Sequence, residues 1–115
     1  MEAVLLGPLG RTVLGAGELT IGCDLDNQLI VTDIRTAAHH ALIRPDGSGF
    51  AILDLGSAYG TRVNGQWLDP NRAQPLQAGD VVQIGNTSFT YEVYQSASSI
   101  PTGTLGMDEA LWYTS

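Results

Sequence analysis

Short apolar runs separated by turn residues recur from Ala3 to Val93: AVLL, ELTIG, QLIVT, ALIR, FAILDL, TRVNGQWL, DVVQIG and TSFTYEV. Several alternate apolar and polar positions with period two and are rich in Val, Ile, Thr, Phe and Tyr, the signature of half-buried strands. None carries a helical stripe of 3.6-residue period across ten positions. The pattern predicts an antiparallel sandwich. Asp46-Gly47 and Asn64-Gly65 are expected to turn neighbouring strands into hairpins, because both dipeptides tolerate positive φ. Glycine and proline fall between the runs, at Gly7-Pro8, Gly15 to Gly17 and Gly79, which spaces short strands rather than long helices. Leu53, Leu55, Val63, Val82 and Ile84 occupy alternating places and are expected to face the space between two sheets.

After Tyr94 the pattern gives way to QSASSIPTGTLG, too small and polar to bury much apolar area. Residues 1–94 therefore read as one domain and residues 95–115 as a flexible linker or tail. The last stretch, MDEALWYTS, regains Leu111, Trp112 and Tyr113. It is expected to dock on the domain, on a neighbour or on nothing, the plain reading being an end that leads to a further domain. Thr102 and Thr104 also invite a phosphorylated segment folding back.

Composition narrows the partners. A chain of 115 residues with 43% apolar and 15% charged residues has the makings of one folded core. No apolar run approaches the ~18 residues that cross a bilayer, and MEAVLLGPLGR lacks a basic stretch followed by a long apolar one, so no membrane segment or leader is expected. The single cysteine, Cys23, has no internal partner, which fits a reducing, cytoplasmic setting. Twelve acids face five bases, all arginine, for a net charge of −7. Nucleic acid, which demands a basic face, is not an expected partner. The same field disfavours a doubly charged phosphopeptide, though salt screens it within about 8 Å.

A set of landmarks follows in fixed order: Ile21-Gly22; Asn27, Leu29, Val31 and Asp33; His40-Ala41; DLGSAYGTRVNG from Asp54 to Gly65; then Leu76, Gly79, Asp80, Val82, Ile84 and Gly85. Together they resemble the forkhead-associated (FHA) family of phosphothreonine-recognition domains, over about two thirds of the chain. The family's own motifs are Ile-Gly-Arg, a spaced Asn, Ile and Asp, Ser-Arg-x-His-Ala, Asp-Leu-Gly-Ser-x-Asn-Gly-Thr-x-Val-Asn-Gly and Leu-x-x-Gly-Asp-x-Ile-x-Ile-Gly. AVLLGP fits its first strand. The resemblance implies an all-β antiparallel sandwich of about 11 short strands. It also implies a non-catalytic protein-interaction module, used in signalling or scaffolding, with no cofactor.

In that family phosphothreonine lies across loops at one end of the sandwich. An arginine, a serine and sometimes a second basic residue grip it, and an asparagine orders the peptide backbone, because a dianion needs a guanidinium fork and short polar donors. Carried over by position, the arginine is Cys23 here, the serine Ala37 and the second basic residue Ala38, while Ala58 and Tyr59 replace a hydroxyl-bearing or small residue and the asparagine. Gly22, His40, Ser57, Gly60, Thr61, Asn64 and Gly65 match. The resemblance gives His40 a bracing role.

Hydrogen bonds to charged groups contribute roughly 1.5 to 3 kcal/mol each, so losing two or three weakens a phosphopeptide by about 10³-fold or more. The expectation is a kept scaffold and a lost grip: a module that binds a protein or peptide, or a second copy of itself, without needing phosphate. Cys23, Arg35, Ala37, Ala38, His39, Ser57, Ala58, Tyr59, Thr61 and Arg62 are its expected contact surface, with Gly22, His40, Gly60, Asn64 and Gly65 structural. Tyr59 is either an aromatic anchor or a filler beside small neighbours. A rival reading keeps phosphothreonine binding, with Arg35 or Arg62 in place of the lost arginine. Another is self-assembly through an edge strand or the LWYTS segment. No metal is expected at Cys23, Asp24, His39 and His40, since consecutive histidines of an extended segment point to opposite sides and paired-ligand zinc spacings are absent. No enzyme is expected from Ser57, His40 and Asp54, which lack a nucleophile elbow.

Overall fold

The computed structural model describes residues 2–8 and 10–94; the expected linker at 95–115, with Thr102, Thr104 and Leu111 to Tyr113, lies outside the described residues. The chain forms β1 (Glu2–Gly7), β2 (Gly10–Leu14), β3 (Leu19–Gly22), β4 (Leu29–Ile30), β5 (Ala41–Asp46), β6 (Gly49–Asp54), β7 (Thr61–Val63), β8 (Gln66–Trp67), β9 (Gln74–Pro75), β10 (Val81–Ile84) and β11 (Thr87–Tyr94). They build a six-stranded sheet in the order β2-β1-β11-β10-β7-β8 and a five-stranded one in the order β4-β3-β5-β6-β9. The strand pairs are antiparallel except β3 with β4, which run parallel because the loop between them brings the chain back to its starting direction. No helix among the described residues is long and apolar enough to cross a membrane.

Two strands escape the periodicity. β2 has only Val13 and Leu14 as large apolar residues and is held by its register with β1, Ala3 opposite Leu14 through Gly7 opposite Gly10. β9 exists because Ala51 and Ile52 of β6 offer their backbone to Pro75 and Gln74. The Asn64-Gly65 turn sits between the paired residues Val63 and Gln66, with φ of 52° and 82° at its two residues, as a tight hairpin matching strand twist requires. The other turn falls one residue later than its dipeptide suggests: Asp46 pairs with Gly49, leaving Gly47 and Ser48 at the bend.

Both sheets contribute to one core. Leu5, Leu14, Val82, Ile84, Phe89 and Tyr91 meet Leu19, Ile21, Ile43 and Ile52, each such aliphatic chain worth about 1.5–3 kcal/mol when fully buried. Phe50 meets Tyr91 edge-on, ring centroids 6.4 Å apart, and burial, with Asp80 adding to it, raises the Tyr91 phenol above its ordinary pKa. Val63, Val82 and Ile84 join the core as expected. Leu53 and Leu55 do not. Ile52 is the inward residue of β6, so its neighbour Leu53 is buried on the opposite face. Leu55 lies beyond the strand and is 37% exposed.

Ile21 pairs with Ala41, Ala41 with Asp54, and Ile84 with Thr61. Strands β3, β6 and β10 therefore finish where β5, β7 and β11 begin. The β3–β4, β4–β5 and β6–β7 loops and the β10–β11 turn gather at that one end.

Candidate functional site

Polar side chains aimed at backbone fix these loops. Asn27 donates from Nδ2 to the carbonyls of Asp24 (2.8 Å) and Ala38 (2.7 Å), and the Cys23 N–H donates to the Ala37 carbonyl at 3.0 Å. This brings β3–β4 against β4–β5 so closely that a Cβ on Gly22 would strike the Ala38 carbonyl. His40 is fully buried. Its Nδ1 accepts the Ala37 N–H at 3.0 Å and its Nε2 donates to the Gly60 carbonyl at 2.9 Å, so the ring is the Nε2–H tautomer and ties β4–β5 to β6–β7.

Asp54, 1% exposed, accepts the N–H groups of Gly56 (3.0 Å) and Ser57 (3.1 Å), the Ser57 hydroxyl, and the Thr61 hydroxyl at 2.8 Å. That many donors compensates a carboxylate for leaving water. Asp33 accepts from the N–H of Arg35 (2.9 Å), the N–H of Asn86 and the Thr87 hydroxyl, joining β4–β5 to β10–β11. The Arg35 N–H bond is the main reason its carboxyl titrates below the ordinary range.

This frame corrects one of the expected contact residues: Thr61 is fully buried and its hydroxyl donates to Asp54, so it shapes the β6–β7 loop. Ser57, half-buried, also donates its hydroxyl to Asp54. The Ser57 hydroxyl turns to the carboxylate and His40 to a backbone carbonyl, which is not the relay a nucleophilic serine needs. His39 and His40 do point apart, one exposed and one buried. His39 Nε2 meets the Asp26 carboxylate at 3.0 and 3.1 Å. Asp24, Asp26 and His39 come within 4.8 Å of one another, a group that includes neither Cys23 nor His40.

Cys23, Arg35, Ala38, His39, Ala58 and Tyr59 are exposed at the loop end, and Ala37 and Arg62 half-buried. The sequence reading missed Leu25 and Ile34. They are 83% and 92% exposed on the β3–β4 and β4–β5 loops, while Tyr59 on β6–β7 is 58% exposed. Each loop thus carries a large apolar side chain in water, and the β6–β7 loop adds Leu55, 37% exposed. Only their polar neighbours in CDLDN and TDIRT hinted at this.

On the flank of the same end, the Arg35 guanidinium lies 5.6 Å from the centre of the Tyr59 ring and that of Arg62 4.8 Å from Trp67. All four side chains line a cleft of about 90 Å³. Among the described residues neither guanidinium makes an ion pair. The loop end is therefore acidic beside Cys23, apolar at the three tips, and basic on one flank.

The FHA domain model matches residues 19–85. This chain belongs to the FHA family. Over 78 residues the FHA domain is 37% identical to the ABC transporter ATP-binding/permease protein Rv1747 of Mycobacterium tuberculosis, a match covering 68% of this chain and 9% of that protein. It is 33% identical over 81 residues to the oxoglutarate dehydrogenase inhibitor of Corynebacterium glutamicum, covering 70% of this chain and 54% of that protein. The chain thus spans about half, or far less, of the length of these curated relatives. A solved FHA domain whose interactions are phosphothreonine-dependent superposes with a TM-score of 0.75 at 26% identity, covering 84% of this chain and 100% of that one. The FHA domain is a protein-interaction module.

Proposed function

We propose that the domain binds a protein partner through its loop end without requiring phosphate, as a non-catalytic signalling or scaffolding module of the cytoplasm. The observation that carries this is the side-chain set of the three loops. Where a phosphate grip needs guanidinium and hydroxyl donors there are Cys23, Ala37 and Ala38, and the most exposed large apolar side chains of these loops are Leu25, Ile34 and Tyr59. A cluster of apolar and aromatic tips on rigid supports suits a desolvated protein contact. The frame of Asn27, His40 and Asp54 lowers the ordering cost of binding because the loops are already held. We assign the contact to Cys23, Leu25, Ile34, Ala38 and Tyr59, residues 1–94 to the domain and residues 95–115 to a linker. The inhibitor relative, named for an enzyme it acts on, is in keeping with a protein target.

A second reading rests on the Arg35/Arg62 cleft. Two guanidiniums without ion pairs, each held over a ring, offer free donor edges to a phosphothreonine. Two regained charge-assisted bonds return about 3 to 6 kcal/mol. Titration against a degenerate phosphothreonine peptide pool and its unphosphorylated twin separates the readings. Equal binding to both pools supports the first. Micromolar binding confined to the phosphorylated pool, abolished by Arg35→Ala or Arg62→Ala, overturns it.

A further inference from the structure

The sandwich leaves one long strand edge open. β2 borders the six-stranded sheet with five residues, whereas the other edge strands, β4, β8 and β9, have two each. Gly7 and Gly10 are the closing pair of the β1–β2 hairpin. Hydrogen-bonded pairs alternate from there, which turns the N–H and C=O groups of Arg11 and Val13 away from β1. The usual guards of an edge are sparse: β2 contains no proline, its single charge is Arg11, and Val13 is 51% exposed. Such an edge takes a further antiparallel strand without breaking a bond already made.

A second copy of the same strand fits this edge in one register. A two-fold axis through Thr12 sets Arg11 of each copy opposite the partner's Val13, so the outward N–H and C=O groups of one strand meet those of its twin. The two Thr12 side chains then stand opposite each other, a Thr–Thr pair of the kind that stabilises antiparallel strands. An axis at Arg11 would bring two guanidiniums face to face. An axis at Val13 would leave Arg11 against Gly15, beyond the end of β2.

Charge complementarity selects the same pairing. Ala3 and Leu5 face the core, so Glu2, Val4 and Leu6 share the outer face of β1, with Val13 and Arg11 opposite Val4 and Leu6 on that face. Within one chain Glu2 lies four residues along and one strand across from Arg11, about 14 Å between Cα atoms at ordinary strand spacings. The two side chains nevertheless approach to 3.8 Å, each about half exposed. In the paired form the partner's Arg11 stands beside Val13, two residues along and two strands across from Glu2, about 12 Å away. Each guanidinium thus gains a carboxylate nearer than the one it already reaches, and the two-fold axis makes the gain reciprocal. That reciprocity favours a twin over an arbitrary strand.

We propose that the protein forms a symmetric dimer by antiparallel pairing of β2 with β2 of a second copy, joining the two six-stranded sheets edge to edge. Because the paired strands run in opposite directions, the two loop ends face opposite ways, and one dimer presents two contact surfaces to two partner molecules. Sedimentation equilibrium of the full chain from about 10 µM to 1 mM tests this, with a mass that rises from one copy to two as the expected result. Val13→Pro removes an N–H that faces away from β1, a change an edge strand tolerates. It should keep the circular dichroism spectrum and weaken dimerisation about tenfold or more, through two lost main-chain bonds. Arg11→Glu should also weaken it, and Arg11→Glu together with Glu2→Arg should restore it. A chain that stays monomeric throughout the range overturns the proposal, as does a dimer indifferent to either single change in a folded chain. A dimer abolished by Leu25→Ser, Ile34→Ser and Tyr59→Ser overturns it too, since the contact then lies at the loop end.

Discussion

Replacing His40 with alanine removes the buried ring that ties the β4–β5 loop to the β6–β7 loop. The Ala37 N–H and Gly60 carbonyl each lose their partner. A dry orphan costs about 1–3 kcal/mol, but both residues are half-buried and water reaches them, so about 0.5–1.5 kcal/mol each is appropriate. Emptying a fully buried ring site adds about 1–2 kcal/mol of lost packing. The expected loss is thus about 2–5 kcal/mol, a large fraction of an ordinary domain's 5–15 kcal/mol. Urea denaturation followed by far-ultraviolet circular dichroism reads this as a midpoint lowered by about 1–3 M with unchanged slope. His40→Phe, which keeps the volume and loses both bonds, should show the hydrogen-bond part alone, about 1–3 kcal/mol. A change below about 0.5 kcal/mol in the alanine variant, the size of an ordinary surface substitution, would refute the bracing role.

Gly22→Ala forces a methyl group into the Ala38 carbonyl, and a loss of about 1–3 kcal/mol is expected from the same denaturation experiment. Leu25→Ser, Ile34→Ser and Tyr59→Ser together should shift the unfolding midpoint little, since all three side chains face water. Retention of a partner captured by the native domain should nevertheless fall at least about tenfold, as expected of contact anchors. The Asp33 carboxyl is depressed in the folded state, chiefly by the Arg35 N–H. Its contribution is therefore present above its unfolded value of about 3.9 and fades as pH falls through the lower folded value. Asp33→Asn should accordingly lose stability at neutral pH and show a flatter acid limb below about pH 4 in urea midpoints.

Much of the sandwich was legible because its signals are local. Short apolar runs bounded by turn residues announce β1, β5, β6 and β10, the alternation of SFTYEV announces β11, and Asn64-Gly65 announces its own positive φ. β2 and β9 were not legible, since neighbours rather than composition hold them in line. Leu55 was misread for a related reason: an apolar residue just past a strand looks like the next inward position until the strand's end is known. At the loop end, the absent donors at Cys23 and Ala37 could be read from spacing. The presence of Leu25 and Ile34 in water could not, because an apolar letter in a loop does not say which way it points. That the Ser57 and Thr61 hydroxyls donate to Asp54 was not legible, because a hydroxyl serves a ligand or a neighbouring carboxylate equally well and only the fold brings Asp54 to them. The stacking of Arg62 on Trp67 follows from their cross-strand pairing, a fact of register.

Two of the braces behind the loops address main-chain atoms alone: His40 reads an amide and a carbonyl, and Asn27 reads two carbonyls. None of these partners depends on what the residue carries beyond its Cα. Tip identities at Cys23, Ala37 and Tyr59 can therefore change one at a time while the loops keep their shape. One rigid chassis can be retargeted from a charged ligand to a greasy one, or back, by editing a handful of letters.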